Sequence, residues 1–124
     1  MSDHDKTIDH FLPLTPAVFH ILLALYDGEQ YGYRIMQLVD EHSGGKFKMG
    51  PGTLYGTIKR MLSDGLIEEA GERPDSALDD QRRRYYRLTQ IGKKVARAEA
   101  ERLATLVASA KAQKLLLPTG DETL

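Results

Sequence analysis

The chain has 124 residues, 41% of them apolar, with no cysteine and a formal net charge of −1. This length fits one small domain, and the lack of cysteine excludes disulfide scaffolds, thiolate zinc sites and cysteine nucleophiles. The near-neutral charge excludes a chain that is basic throughout. A nucleic-acid-binding protein of this composition must therefore concentrate its positive charge on one face.

The first residues of the sequence do not resemble a targeting signal, so we expect no export. Residues 1–16 contain acidic residues and histidines where a secretory signal would have positive charge followed by an apolar core. No apolar run approaches the roughly 18 residues that span a membrane. We therefore expect a cytoplasmic chain that enters no membrane, with a flexible segment over residues 1–12.

Capping residues and helical spacing predict two helices after this segment. The first spans residues 15–27, with a threonine and a proline at its start and Asp27-Gly28 at its end. The second begins near Tyr31-Gly32 and ends at Ser43-Gly44-Gly45. The alternation of polar and apolar residues over Lys46–Met49 predicts a brief strand.

A third helix begins at Gly50-Pro51-Gly52 and ends before Gly65, which suits the left-handed position after a helix. Its spacing predicts a buried side made of Leu54, Ile58, Met61 and Leu62. The opposite, outward side contains Thr53, Gly56, Lys59, Arg60 and Ser63. A helical glycine costs about 1 kcal/mol relative to alanine. Spacing alone fits two explanations of Gly56 equally well, a tolerated surface glycine and a place where the backbone closely approaches another molecule. The neighbouring cations Lys59 and Arg60 favour the second explanation.

Two strands are predicted over Leu66–Ala70 and Arg83–Leu88, joined by a loop over residues 73–81 that is too long to be a two-residue turn. Strand alternation places Arg82 and Arg84 on one face and Arg83 on the other. For Arg83 we favour a solubilising role, with salt bridges to Asp79, Asp80 or Glu68. Of the adjacent pair Tyr85 and Tyr86, we expect one to be buried and the other half-exposed.

A long final helix is predicted over residues 89–112, capped by Thr89. Its apolar residues form two stripes, one of which can contact the domain and the other a partner chain. The first stripe comprises Ile91, Val95, Ala98 and Leu106. The second stripe, the predicted dimer interface, comprises Ala96, Ala100, Leu103, Val107 and Ala110. The dimerisation segment covers residues 89–114, and residues 115–124 form a tail whose leucines pack locally.

The order of three helices and a hairpin is that of a winged helix-turn-helix domain, here over residues 13–88, in a fold that is mainly α with a small β-hairpin. In such a domain the third helix enters the major groove of DNA and the hairpin, or wing, contacts the neighbouring backbone. Two such domains joined by their last helices would bind a palindromic double-stranded operator.

Four segments, TPAVFHILLAL, YGYRIMQLV, GPGTLYGTIKRMLSDGLIEE and RRRYYRLTQIGKK, resemble the signature blocks of the PadR family of transcriptional regulators, small type, over roughly residues 13–110. The resemblance implies a homodimeric winged-helix repressor that responds to a small molecule or a stress signal. The DNA-contacting residues that it implies are Tyr31, Tyr33, Thr53, Tyr55, Gly56, Thr57, Lys59, Arg60, Arg82 and Arg84. The effector pocket that it implies, between the first and last helices, would be lined by Phe19, Leu23, Leu103 and Val107; core packing is the other explanation of these four.

The chain departs from the family pattern at three places. The family commonly has histidine at the position of Tyr31 and a larger residue at the position of Gly56. The wing of this chain, residues 75–80, is also more acidic than is usual. A winged-helix module that binds protein and not DNA is therefore the alternative hypothesis, since an acidic wing and a near-neutral charge would suit it.

The sequence contains no recognisable catalytic motif. The four histidines, at positions 4, 10, 20 and 42, are scattered, and no phosphate-binding or nucleophile motif is present. His4 and His10 lie among Asp3, Asp5 and Asp9, but a solvated tail explains this cluster better than a metal site does. We expect a protein that is not an enzyme and has no cofactor and no metal.

Overall fold

Five helices and three strands occur in the computed structural model, which describes residues 3–75 and 78–116. The helices are α1 (Asp3–His10), α2 (Pro16–Leu25), α3 (Gly32–His42), α4 (Pro51–Ser63) and α5 (Gln90–Ala112). The strands are β1 (Gln30–Tyr31), β2 (Ile67–Asp75) and β3 (Leu78–Leu88). They form an antiparallel sheet in the order β1-β3-β2.

The helices of the central domain begin and end where the local sequence requires. Thr15 is the N-cap of α2, and its hydroxyl oxygen accepts a hydrogen bond from the Val18 N–H at 3.3 Å. Gly65 has φ +77°, the left-handed conformation that ends α4 at low cost. The three predicted helices are confirmed within a few residues at each end.

Helix α2 lies at the centre of the core, as predicted. It contacts α3, α4, α5 and β3, and its residues Ile21, Leu22 and Leu25 are fully or almost fully buried. The predicted apolar side of α4 is also confirmed, since Leu54 and Met61 have no exposed surface. Burying side chains of this size contributes about 1.5–3 kcal/mol each, which fixes how α4 is rotated relative to the domain.

The strand predicted over Lys46–Met49 is wrong. This segment is an irregular connection between α3 and α4 in which the Phe47 N–H donates to the Ser43 hydroxyl at 3.0 Å. The Phe47 ring stacks on His20 with 4.5 Å between centroids. Polar and apolar residues alternate here because the side chains of Phe47 and Met49 face the domain. The third strand of the sheet is instead β1, whose two residues are too few to show a strand pattern in the sequence.

The loop predicted over residues 73–81 is also wrong. β2 and β3 pair as far as Asp75 and Leu78, and Ser76 and Ala77 lie outside the described residues. A β-bulge between Glu69 and Glu72 contains Gly71 at φ +97°, and the ladder continues beyond it. Cross-strand pairing thus extends the wing through residues whose composition suggested a turn.

The flexible segment predicted over residues 1–12 is not what the structure shows. α1 covers most of it, and Ile8 is buried in the core with Phe11 packed against the same cluster. The chain then reaches α2 through Leu14, whose N–H donates to a carboxylate oxygen of Glu99 on α5 at 2.8 Å. One apolar residue in a polar stretch is too weak a signal to predict this docking.

Helix α5 begins at the predicted cap. The Thr89 hydroxyl accepts from the Gly92 N–H at 3.0 Å and donates to the Gly65 carbonyl at 2.6 Å. Gly92 is required here, because a Cβ would overlap the carbonyl oxygen of Leu66 and lie 3.0 Å from its carbonyl carbon. The first turns of α5 therefore pack directly on the backbone where α4 ends.

The two predicted stripes of α5 need correction at both ends. Ala96 is only 5% exposed and belongs to the core, so it offers almost no surface to another chain. Leu106, assigned to the stripe that faces the domain, is 54% exposed, because the domain ends before this turn of the helix. Leu115 is 74% exposed and so does not pack locally; residues 117–124 lie outside the described part.

Candidate nucleic-acid interface

The outward side of α4 carries side chains that no other part of the described chain covers. We call it the α4 face, and its residues are Thr53, Tyr55, Gly56, Lys59 and Arg60. All five are exposed, as the helical spacing predicted for Thr53, Gly56, Lys59 and Arg60. Thr57, next to this face, is half-buried, and its hydroxyl donates to the carbonyl oxygen of Thr53 at 2.7 Å. The Thr57 proton is thus engaged, which leaves its oxygen as an acceptor.

Gly56 is not explained by packing within the chain. A Cβ at this position would have nothing within 4 Å, and its φ is not in the left-handed region. Neither space nor backbone conformation therefore requires glycine, although glycine costs about 1 kcal/mol in a helix. What it does provide is a stretch of bare backbone in the middle of an exposed helical face.

The cations of the α4 face have no acidic partner among the described side chains. Within residues 3–75 and 78–116, neither Lys59 nor Arg60 forms an ion pair. By contrast, Arg34 on α3 pairs with Glu41 at 3.5 Å. The α4 face is therefore a local positive surface on a chain whose net charge is near zero, as a nucleic-acid-binding function requires.

Two helix N-termini beside this face have no side-chain cap. The side chain of Tyr31, which precedes α3, accepts no hydrogen bond from its helix, and Gly50, which precedes α4, has no side chain to do so. Thr15 and Thr89 do cap α2 and α5. The first N–H groups of α3 and α4 can accordingly donate to an anion such as a DNA phosphate.

Tyr55 connects α4 to the start of α3. Its hydroxyl lies against Gly32, where a Cβ would overlap the hydroxyl oxygen and lie 2.8 Å from Cζ of the ring. Gly32 is buried for this reason, while Tyr55 remains 49% exposed and Tyr33 59% exposed. The predicted residues Tyr33 and Tyr55 thus lie at the edge that α3 and α4 share. Gly32 was not among the predicted site residues, although a glycine between two tyrosines could have indicated it.

Tyr31 faces the wing and not open solvent. β1 pairs with β3 so that Tyr31 is opposite Tyr85, and the two rings meet edge to face with centroids 5.5 Å apart. The guanidinium carbon of Arg83 lies 4.0 Å from the Tyr31 ring centroid, and that of Arg73 lies 3.9 Å from the Tyr85 centroid. We call these four residues the arginine–tyrosine stack. Arg83 therefore contacts an aromatic ring, which the prediction of a solubilising role did not foresee.

Glu29 joins this stack to the base of the wing. Its carboxylate accepts hydrogen bonds from Arg73 and from Arg87, the latter at 3.4 Å. These bonds, that from Arg73 above all, hold the pKa of Glu29 below its ordinary value. Arg87 also donates to Glu68 at 2.8 Å, while Asp79 and Asp80, the other partners predicted for Arg83, have side chains outside the described part of the structure. The segment before α3 is thus tied to both strands of the wing.

Arg84 lies on the other face of β3, as strand alternation predicted, but its charge is compensated. It pairs with Glu72 at 3.3 Å and with Glu69 at 3.5 Å. The hydrogen bond to Glu72 is the main reason that the pKa of Arg84 is raised above its ordinary value. Arg82 pairs with Pro74 in the ladder, and its side chain lies outside the described part of the structure.

Comparison with known proteins identifies the family of this chain. Residues 21–98, more than half of the chain, match the PadR-like family of transcriptional regulators. The chain belongs to this family. It is 34% identical over 74 residues to the transcriptional regulator Rv3488 of Mycobacterium tuberculosis, and the match covers 60% of the present chain and 63% of that protein. Across the sequence relatives the matched part spans between 22% and 64% of their own lengths.

Solved structures of PadR-like proteins share the fold. A PadR family transcription regulator from Clostridium difficile superposes with a TM-score of 0.67 at 25% identity, over 82% of this chain and 100% of that one. Bacillus subtilis PadR, crystallised in complex with operator DNA, superposes with a TM-score of 0.59 at 20% identity, over 90% of this chain and 52% of that one. The predicted winged helix-turn-helix fold is confirmed.

The second half of α5 presents apolar surface that this PadR-like chain does not cover. Val107 is 46% exposed and Leu106 54% exposed, and Leu103 is half-buried beside them. On α2, Leu23 is 38% exposed and Phe19 half-buried. The residues predicted for the dimer interface and the effector pocket, apart from Ala96, thus retain exposed surface.

The α4 face borders a small cavity. A shallow cavity of about 130 Å³ lies between α2 and α4, and its lining residues are Thr15, Val18, Gly56, Thr57 and Arg60. None of the four residues predicted for the effector pocket lines it. Among the described residues there is no group of three or more metal-ligating side chains and no helix long and apolar enough to cross a bilayer.

Proposed function

We propose that the chain is a sequence-specific DNA-binding regulator that acts as a homodimeric repressor and leaves its operator when a small molecule or a stress signal acts on it. The observation that carries this proposal is the α4 face, where bare backbone at Gly56 is flanked by the cations Lys59 and Arg60, which form no ion pair with any described side chain. The membership in a family of transcriptional regulators supports it. So does the shared fold with a PadR protein that binds operator DNA.

The uncapped N-termini of α3 and α4 add to this support. In helix-turn-helix proteins the second helix of the motif enters the major groove while the first crosses the phosphate backbone. Here α4 corresponds to the former and α3 to the latter. N–H groups at both starts suit the phosphates on either side of a groove, and Thr53 in the first turn of α4 is placed to contact a base edge.

The direct experiment is a selection of bound duplexes from a random pool, read for dyad symmetry. A homodimer predicts two inverted half-sites about one helical turn apart. A gel shift on the selected duplex then measures affinity. If the wild-type chain retains no DNA at low salt, the DNA-binding proposal is refuted and the protein-binding module becomes the better hypothesis.

Two variants separate positioning from base reading. Lys59→Ala should weaken binding to the selected duplex and to random DNA alike, and should lower the log–log salt slope by about 1.8, since the homodimer loses one phosphate contact of about 0.9 in each half-site. Thr53→Ala should weaken binding only to the selected duplex, because a base contact is lost. Equal losses on both duplexes for both variants would contradict the base-reading role of Thr53.

For the dimer we propose that Ala100, Leu103, Val107 and Ala110 of α5 pack against a second copy. Val107→Glu places a charge in this contact without disturbing the core, since Val107 is 46% exposed within one chain. We expect it to produce monomers in sedimentation velocity. Thr105→Glu, at an exposed position outside this stripe, is the control. A sedimentation profile that is the same for both variants and the wild type would exclude this interface.

We also propose that the effector binds where α2 and α5 meet at the dimer, between Phe19, Leu23, Leu103 and Val107. The exposed apolar surface on these residues supports a site for an apolar or aromatic small molecule. A screen of phenolic compounds for release of the selected duplex tests this. Release by a compound that still acts on Leu23→Glu would place the effector elsewhere.

A further inference from the structure

We propose that His20 makes DNA binding sensitive to acid: when its ring takes up a proton, it releases Phe47 and loosens the connection between α3 and α4. This connection, residues 43–50, leads into the helix that is placed in the major groove. The inference rests on the proposed DNA-binding function and adds a control of that function by pH. Neither His20 nor Phe47 belongs to the α4 face, so the control acts through the start of α4 and not through a contact with DNA.

The His20 ring is packed in a way that leaves one of its nitrogens without a partner. The ring, on α2, stacks on Phe47 with 4.5 Å between centroids and 19° between the ring planes. Its Nδ1 atom is buried, and no group in the described part of the chain forms a hydrogen bond with it. A buried polar atom of this kind is uncommon in folded proteins and needs an explanation.

The neutral His20 ring fits this position better than the protonated ring does. A neutral imidazole carries a single proton, which Nε2 can hold, so Nδ1 then needs no acceptor. A second proton turns Nδ1 into an N–H donor without an acceptor and places a positive charge in a half-buried stack, and both changes are unfavourable. Rotation of the ring into solvent removes both costs and breaks its contact with Phe47.

No acid offsets a charge on His20. Burial above all, and next the charge of His42, lower the pKa of His20 below its ordinary value of 6.5. No other described group of α3, of the connection, of α4 or of α5 acts on it electrostatically. The ionisable side chains of the two elements that meet at the stack are Asp40, Glu41 and His42 at the end of α3 and Lys46 and Lys48 in the connection. The surroundings therefore resist a proton on His20.

Phe47 fixes the middle of the connection to the domain. Its N–H donates to the Ser43 hydroxyl at 3.0 Å, and its ring packs against the core as well as against His20. A few residues later, Gly50 is the N-cap of α4. Release of the Phe47 ring consequently frees the chain directly before the first turn of α4, which contains Thr53. In a helix-turn-helix protein the position of this turn determines the contacts with base edges.

The sign of the pH effect follows from the two states of the ring. The released ring has the ordinary pKa of 6.5 and the stacked ring a lower one, so the stacked state binds fewer protons. The stacked state is therefore unaffected above about pH 6.5 and is increasingly disfavoured as the pH falls below that value. Only the fraction of molecules with an ordered connection binds DNA at full strength, so affinity falls with that fraction.

The test measures the affinity of the wild type for the selected duplex by fluorescence anisotropy at about pH 7.5 and about pH 5.5, at constant ionic strength. A chain whose histidines merely gain charge in acid would bind DNA more tightly at the lower pH. We expect the wild type instead to bind several-fold more weakly there. About tenfold is the limit, because about pH 5.5 is one unit below the pKa of the released ring.

His20→Phe keeps an aromatic ring against Phe47 but takes up no proton, so its affinity should not fall in acid. His10→Gln is the control, because it removes an exposed histidine of α1 and should lose affinity in acid as the wild type does. An equal loss of affinity in His20→Phe and in the wild type would overturn the proposal. Tighter binding by the wild type in acid would do so too, since the charged ring then remains on Phe47 through a cation–π contact.

A second measurement follows the connection without DNA. NMR order parameters for the backbone of residues 43–50 should fall between about pH 7.5 and about pH 5.5 in the wild type but not in His20→Phe. If the wild type binds no duplex at about pH 7.5, the DNA-binding function is refuted, and the order parameters still decide whether His20 releases Phe47. If the duplex is bound but neither affinity nor order parameters respond to pH, this inference alone is refuted.

Discussion

Gly56→Ala should make the protein more stable and a weaker DNA binder. The added methyl group meets nothing within 4 Å, so no packing cost opposes the gain in helix propensity. That gain is about 1 kcal/mol, since glycine is the least favourable residue in a helix interior apart from proline. For a domain of this size it corresponds to a rise in Tm of about 4 °C.

The same methyl group would separate the α4 backbone from a duplex seated on it. We expect Gly56→Ala to lower the affinity for the selected duplex about tenfold, which is about 1.4 kcal/mol. Gly56→Gln, which retains favourable helix propensity but projects further, should lower it by considerably more. The two effects of Gly56→Ala have opposite signs, so loss of folding cannot be mistaken for loss of binding.

The assays are thermal unfolding by circular dichroism and anisotropy titration on the selected duplex. Thr105→Ala is the control, because it also raises helix propensity but lies on α5, at an exposed position away from the α4 face. Should both Gly56 variants bind the duplex as tightly as the wild type while their Tm rises, this part of α4 does not lie against DNA. A fall in Tm would instead show that the space around Gly56 is occupied.

Two further predictions concern the fold. Gly92→Ala, the same substitution in another helix, should lower Tm where Gly56→Ala raises it, because the Cβ would overlap the carbonyl of Leu66; thermal unfolding of the two variants side by side checks this. Glu99 is 2% exposed, and hydrogen bonds, first from Arg102 and then from the Leu14 N–H, hold its pKa below the ordinary value of 4.5. Its contribution to stability is present above about pH 4.5 and is lost as the pH falls through the lowered pKa. The Glu99→Gln variant should therefore be less stable than the wild type at pH 7 and should lose less stability on acidification. Parallel acid unfolding curves for variant and wild type would contradict this.

The α4 face could be read from the sequence because helical periodicity alone determines which residues point outward. Once Leu54 and Ile58 are assigned to the core, Gly56 and Lys59 can only face solvent. The caps at Thr15 and Thr89 were equally predictable, since each satisfies the N–H groups of its own helix and depends on no distant residue.

The wing and the N-terminus could not be read in this way, because their structure depends on contacts far apart in sequence. The stack of Arg83 on Tyr31 follows from the pairing of β1 with β3, which no pattern in a two-residue strand reveals. Ile8 is a single apolar residue, and it is buried because it shares the core with residues that are distant in the sequence. Pro74 lies in the segment predicted as a loop, yet the ladder continues past the bulge at Gly71 and pairs Pro74 with Arg82.

The charge of the chain makes the close approach at Gly56 more important than it would be in a basic protein. A net charge of −1 gives little general attraction to DNA, and two acids compensate Arg84 in the wing. On the proposed function, affinity must then come from a few placed contacts, chiefly the bare backbone at Gly56 and the cation of Lys59. Such a protein should bind random DNA weakly and with a shallow salt slope, because few phosphates are neutralised, and should owe most of its affinity to the fit of the α4 face in the groove.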